Sequence, residues 1–215
     1  MNGGRFPYVA LEGVNGAGKS YTRDILERYF RQRYGEDIFM FGQYGWLVPR
    51  AAVVIVAFRE RRGGYTKAEL LDAHVADRKV VLAQVIGANL RSGPVIGDRS
   101  LISDGPYLEA LEGIPAETVF EHYVSAGLSF PDVTVYLRVD PDEAVRRVRS
   151  RGEALKRYET PEIMRAVAES YQRLVTEGSL AKLTRVVVAS GRDPAAMLPE
   201  LDDILSEYRS ADRAE

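Results

Sequence analysis

The chain has 215 residues, 46% hydrophobic and 28% charged, a composition that excludes a disordered tail, a collagen-like fibre and a disulfide-stapled miniprotein. Its 29 basic and 31 acidic residues leave a formal net charge of −2, so no whole-protein attraction to nucleic acid or to an anionic membrane is expected. Cysteine is absent, which excludes disulfides and thiol catalysis, and two histidines, His74 and His122, are too few for a multi-histidine metal centre.

Residues 6–11 (FPYVAL) form a short apolar run closed by Gly13 and predict a buried strand. Residues 19–34 lack Gly and Pro and carry Ile25, Leu26, Tyr29 and Phe30 at helical spacing, with Gly35 as a stop. A second strand is expected at 37–41, starting at Asp37, followed by a loop at 42–49 (GQYGWLVP). Residues 66–91 predict a long helix, or two, opened by a capping box of Thr66 and Glu69. A brief strand at 94–97 runs into Asp98 and Arg99, and helices are expected at 106–112 and 116–127. Residues 132–139 (DVTVYLRV) give the clearest strand; a helix at 142–151, a strand at 185–189 and a helix at 194–208 complete the pattern. Residues 210–215 read as a frayed tail. Alternation of this kind implies right-handed crossovers and a mainly parallel sheet covered on both faces, here within one domain spanning residues 1–215. No apolar run approaches ~18 residues, so neither a signal peptide nor a membrane span is expected and the expected location is the cytoplasm.

Three elements carry chemistry. Gly13-Val14-Asn15-Gly16-Ala17-Gly18-Lys19-Ser20 fits G-x-x-x-x-G-K-[ST] at every fixed position. Its glycines let backbone N–H groups close around a phosphate, and the helix starting near Lys19 adds its positive end. Lys19 suits the β- and γ-phosphates of a nucleoside triphosphate, and the Ser20 hydroxyl suits Mg²⁺. Asp98-Arg99 lies just past a strand, where a parallel sheet opens its ligand crevice. The spacing alone leaves two readings there: a carboxylate for Mg²⁺ or an acceptor proton beside a phosphate-clamping arginine, or a turn with a surface ion pair. Residues 146–159 concentrate Arg146, Arg147, Arg149, Arg151 and Arg157. They read as a lid over the transferring phosphoryl group, or as a solvated helix in a chain with 24 Arg and 5 Lys.

Together and in this order, the three elements resemble the thymidylate kinase family of P-loop nucleoside monophosphate kinases. Val9 to Gly13 leading into the phosphate loop is similar to the family's opening. Asp98-Arg99-Ser100 with Ser103 and Tyr107 resembles its D-R-Y segment, Pro131 to Leu137 with Asp140-Pro141 its later strand and turn, and Arg149, Arg151-Gly152-Glu153 and Arg157-Tyr158-Glu159 its lid. The resemblance implies a P-loop NTPase three-layer α/β sandwich with a small lid, and transfer of a phosphoryl group from Mg²⁺-ATP to dTMP. It implies Lys19, Asp98, Arg99, Arg149 and Arg151 as catalytic residues. Donor contacts are expected from Gly13, Asn15, Gly16, Ala17, Gly18, Lys19, Ser20 and Tyr21, with Arg157 from the lid. Acceptor contacts are expected from Asn15, Tyr44, His74, Arg78, Arg99, Ser103 and Tyr107, and Mg²⁺ contacts from Ser20 and Asp98. The expected partner is a small nucleotide, with neither nucleic acid nor membrane, and family members often pair as homodimers.

The departures from the family pattern cluster on the acceptor side. Asn15 stands where the family usually has Asp or Glu, and Gly42-Gln43-Tyr44-Gly45 where it has R-E-P-G-G. His74, four residues before Arg78, replaces a phenylalanine that stacks on thymine; Leu108 replaces a glutamine, and Ser100 a tyrosine. An intact donor loop beside an altered acceptor side leaves a second reading, a kinase of the same family acting on a modified nucleotide, a nucleoside or another small metabolite. A third, a nucleotide-binding switch with little turnover, has no use for Asp98 and the lid arginines.

Overall fold

In β1 (Tyr8–Glu12) all five residues are buried, as a central strand covered on both faces requires. The structure, a computed structural model, describes residues 6–35, 38–152, 154–190 and 193–208; Asp37, Glu153 and the 210–215 tail lie outside them. The chain continues through α1 (Lys19–Tyr34), β2 (Phe39–Gly42), α2 (Pro49–Arg59), α3 (Lys67–Val80), β3 (Val95–Asp98), α4 (Asp104–Glu112) and α5 (Ala116–Ser125). It then forms β4 (Val133–Arg138), α6 (Pro141–Arg149), α7 (Pro161–Thr176), β5 (Arg185–Ser190) and α8 (Leu198–Leu205). The sheet order is β2-β3-β1-β4-β5 and every pairing is parallel. It is the parallel α/β sandwich that the alternation predicts, of the P-loop NTPase type that the resemblance implies.

Side-chain alternation along β1 divides the interior. Val9 and Leu11 join the larger core with Leu26 and Phe30 of α1, while Tyr8 and Ala10 pack with Val81, Ile86 and Val95 on the opposite face. The expected capping box forms, with Thr66 Oγ1 accepting from Glu69 N and the Glu69 carboxylate accepting from Thr66 N at 2.7 Å. Helix α3 does not break: it runs on through a π-helical turn at Val81–Ile86 and a last turn at Gly87–Asn89.

Two helices go beyond those expected from the sequence. Helix α2 (PRAAVVIVAFR) is rich in β-branched residues and has no amphipathic stripe; Pro49 in its first turn and packing on α3 set it. Helix α7 has the start signal of Thr160-Pro161 and buries Met164, Val167, Tyr171 and Leu174 at helical spacing.

Register brings the chemistry together. Asp98 pairs with Leu11 and with Gly42, so the loops after β1, β2 and β3 leave the same carboxyl edge of the sheet.

Candidate active site

The phosphate loop is built on glycines that other residues cannot replace. Gly16 has φ +82°, and a Cβ there would run into the Ala144 carbonyl of α6. Gly13 has φ +136°, and its Cβ would lie 2.8 Å from the Leu137 carbonyl. Gly18, also left-handed, caps α1 with no side chain covering the helix's first N–H groups. Ala17 is fully buried behind the loop. Lys19 donates to the carbonyls of Gly13 (3.3 Å) and Val14 (3.1 Å). Burial first, then the nearby Arg99 guanidinium, push its ammonium well below the usual lysine range.

A cleft of about 420 Å³ lies over this loop. Lys19, Ser20, Tyr21, Asp98, Arg147 and Arg151 line it, so the expected donor-side groups converge there. Arg147 also donates to the Gly16 carbonyl at 3.4 Å. Arg149 is not brought to the cleft; it is exposed on α6, near Glu162. Arg157 is not brought there either. It donates to the Phe58 carbonyl at 2.7 Å and to Glu112 at 3.2 Å, and lines a second cavity, where Tyr44, His74 and Tyr107, expected as acceptor contacts, also lie.

Arg99 stands between the two cavities. Its backbone is left-handed, φ +74°, a conformation that costs a non-glycine residue about 1–3 kcal/mol. Its guanidinium donates to Gly13 O (2.8 Å), Ser103 Oγ (3.0 Å), Tyr107 OH (2.8 Å) and Asn15 Oδ1 (2.5 Å). Ser103 is wholly buried and lines neither cavity. It supports Arg99 from below, donating in turn to Glu12. Glu12 also accepts from Ser100 N and Oγ, each at 2.7 Å, and from Tyr171 OH at 2.7 Å. Burial raises the Glu12 carboxyl above its usual range, against the opposing pull of Arg99 and these hydroxyls. Asn15 donates its amide N–H to Glu159 at 2.8 Å while its oxygen faces Arg99, so it joins the segment after α6 to the arginine.

The second cavity, about 110 Å³, is lined by Tyr44, His74, Asp104, Tyr107 and Leu108 among others, and shares Asn15, Arg99 and Tyr158 with the first. Arg78 is 2% exposed and lies behind its wall. Its Nε and Nη2 grip Asp104 in a fork, both at 2.9 Å, and its Nη1 donates to the Gln43 carbonyl. Asp104 also accepts from Gln43 Nε2 (2.9 Å), Tyr44 OH (3.3 Å) and Tyr123 OH (2.9 Å). Burial alone would raise the Asp104 carboxyl; Arg78 and then His74 pull it below the usual carboxylate range. His74 is 2% exposed, with Nδ1 3.5 Å from Asp104 Oδ2 and no hydrogen-bond partner for that nitrogen. The Tyr44 ring stacks on Trp46, centroids 4.8 Å apart, and lies 4.3 Å from the Arg78 guanidinium carbon.

The thymidylate kinase family model matches residues 11–186, from the end of β1 into β5. The chain belongs to the thymidylate kinase family. A probable thymidylate kinase of Staphylothermus marinus is 30% identical over 209 residues, covering 94% of this chain and 95% of that protein. A probable thymidylate kinase of Pyrobaculum aerophilum is 30% identical over 80% of this chain and 84% of its own. The thymidylate kinase of Hahella chejuensis is 28% identical over 89% and 97%. The chain is thus a kinase, a phosphotransferase of the thymidylate kinase type, and among its described residues no helix is long and apolar enough to cross a membrane.

Two residues without an assigned role in the sequence reading, Glu12 and Asp104, brace these cavities, and two residues of the expected lid, Arg147 and Glu159, take contacts that were not expected of them singly. Glu12 directly precedes the phosphate loop and Asp104 directly follows Ser103, so both stood beside legible motifs. The partners of Glu12 come from the turn after β3 and from α7, and those of Asp104 include residues of α3 and α5; no local pattern announces such contacts.

Proposed function

We propose that this chain transfers the γ-phosphoryl group of ATP to dTMP, giving ADP and dTDP. One observation carries the reading: the phosphate-loop cleft and the acceptor-side cavity meet at Asn15, Arg99 and Tyr158, the geometry an in-line transfer between two bound nucleotides needs. Family membership points to the same reaction. Among the described residues no three His, Cys, Asp or Glu side chains converge, and Ser20 and Asp98 line the cleft with room for phosphate oxygens. That set fits a hard cation held by one carboxylate, a hydroxyl, water and phosphates. Ser20 and Asp98 would hold Mg²⁺, whose contribution is to neutralise charge on the transferring group.

The chain's own residues do the positioning. Loop N–H groups and Lys19 hold the donor phosphates. Arg99 clamps the acceptor phosphate, exchanging its contacts with Asn15 and the Gly13 carbonyl for phosphate oxygens. Arg147 and Arg151 stabilise charge on the γ-phosphoryl oxygens. The segment 146–159 acts as the lid, anchored through Glu159, and excludes water from the cleft. The reaction is set in the cytoplasm.

ADP release from Mg²⁺-ATP, measured with each nucleoside monophosphate and with none, tests the proposal. Fast release with dTMP alone is expected. Slow release with every nucleotide would sink dTMP as acceptor and favour a different small acceptor, the reading that the His74–Asp104–Gln43 wall supports.

A further inference from the structure

We infer that Glu12 is a positioning residue for the acceptor clamp: its carboxylate holds the backbone turn of Arg99 and braces the guanidinium indirectly, leaving it free for a phosphate. The inference deepens the proposed reaction and rests on Arg99 being that clamp. Glu12 is wholly buried and lines neither cavity, so whatever it does for a ligand it does through a neighbour. Two consecutive residues of β1 grip the left-handed Arg99 from both sides. Leu11 O accepts from Arg99 N at 3.0 Å, and Glu12 Oε1 accepts from Ser100 N at 2.7 Å. The Ser100 hydroxyl donates to the same carboxylate oxygen at 2.7 Å and accepts from Ile102 N at 3.1 Å, tying the turn to the segment that follows. A charged acceptor makes such bonds stronger than a neutral one would. Ser100 is one of the positions where this chain departs from the family pattern, so the brace uses a residue particular to it.

The other carboxylate oxygen braces the side chain. Glu12 Oε2 accepts from Tyr171 OH at 2.7 Å and from Ser103 Oγ, and Ser103 Oγ accepts from Arg99 Nη1 at 3.0 Å. The carboxylate thus reaches the guanidinium through one hydroxyl. Arg78 shows what direct pairing does: forked on Asp104, it lies behind the cavity wall. The hydrogen bonds of the Arg99 guanidinium go instead to neutral oxygens of Gly13, Asn15, Ser103 and Tyr107. A phosphate dianion displaces neutral oxygens more readily than it displaces a carboxylate. Glu12 and Asp98 still favour the charged guanidinium across the gap.

The test is titration calorimetry of the full chain with dTMP and with thymidine, which lacks the phosphate, beside ADP release with dTMP. Wild type should bind dTMP at least about tenfold tighter than thymidine. Glu12→Gln keeps the size and one acceptor oxygen but loses the charge. It should cut that preference about five- to tenfold and move thymidine binding less than about twofold. In an Arg99→Met background the same substitution should move dTMP binding less than about twofold, because the residue it acts through is gone. Equal losses of dTMP and thymidine, equal effects in the two backgrounds, or a wild type without the preference overturns the inference. Ser100→Ala removes one donor to the carboxylate and should lower the dTMP to thymidine ratio about threefold. If Glu12→Gln does not fold, an unmoved ratio in Ser100→Ala overturns the inference. A preference lost in Glu12→Gln, beside a wild type that releases no ADP with dTMP, would refute the proposed reaction and leave the inference standing. Fast ADP release with dTMP and a preference that Glu12→Gln leaves intact would do the reverse.

Discussion

Asp104→Asn is the sharpest test of how the acceptor wall is held. The substitution keeps the shape but removes the charge opposite Arg78, which is 2% exposed. Each hydrogen-bonding neighbour of Asp104 is a donor: Arg78 Nε and Nη2, Gln43 Nε2, Tyr44 OH and Tyr123 OH. Either orientation of the new amide therefore turns an N–H toward a group that also donates. Breaking a buried pair from one side costs about 3–5 kcal/mol, which for a chain of this size corresponds to a fall of about 6–20 °C in Tm. The pH dependence has a defined sign. The folded carboxyl sits below its unfolded value of ~3.9, so its stabilisation is present above that pH and is lost as pH falls through the folded value. Urea melts of wild type and Asp104→Asn between pH 7 and pH 2 should show the wild type losing its advantage only on the acid side. Arg78→Met combined with Asp104→Leu should recover much of the loss, because the pair is removed together. A Tm shift under about 2 °C for Asp104→Asn would refute the claim that this pair anchors the wall.

Three other changes probe the reacting end. Gly16→Ala forces a side chain into the Ala144 carbonyl at φ +82° and should abolish ATP binding by calorimetry; retained affinity would mean that the loop can shift away from α6. Asp98→Asn should lower the rate of ADP release by at least about 10²-fold while leaving the ATP dissociation constant nearly unchanged, and turnover surviving it would remove Asp98 from the catalytic centre. Asn15→Asp puts a carboxylate against Glu159, its partner at 2.8 Å, and should raise KM for the acceptor. Glu159→Gln in the same chain should restore it, and failure of that rescue would show that the contact does not hold the lid.

How much was legible follows the range of each interaction. The phosphate loop is a contiguous motif whose glycine conformations and lysine are local properties, so residues 13–20 stood out in full. The central strands β1, β3 and β4 followed from apolar runs, because a doubly covered strand is continuously apolar. Helix α2 was hidden by β-branched residues that favour strands in isolation and are overruled by packing on α3. Arg78 was expected among the acceptor contacts, but its place behind the cavity wall, held in a fork by Asp104, 26 residues away, was not legible. The lid arginines could be counted, yet only the pitch of α6 decides that Arg147 lines the cleft and Arg149 does not.

The left-handed backbone at Arg99 has a bearing on how this enzyme would evolve in the laboratory. Glycine would relieve that conformation, a gain of about 1–3 kcal/mol. Arg99→Gly would also strip donors from Asn15, Ser103, Tyr107 and the Gly13 carbonyl and leave the buried Glu12 without its cation, a loss of about 3–5 kcal/mol. Selection for thermal stability alone should therefore keep this arginine, and with it the junction of the two cavities.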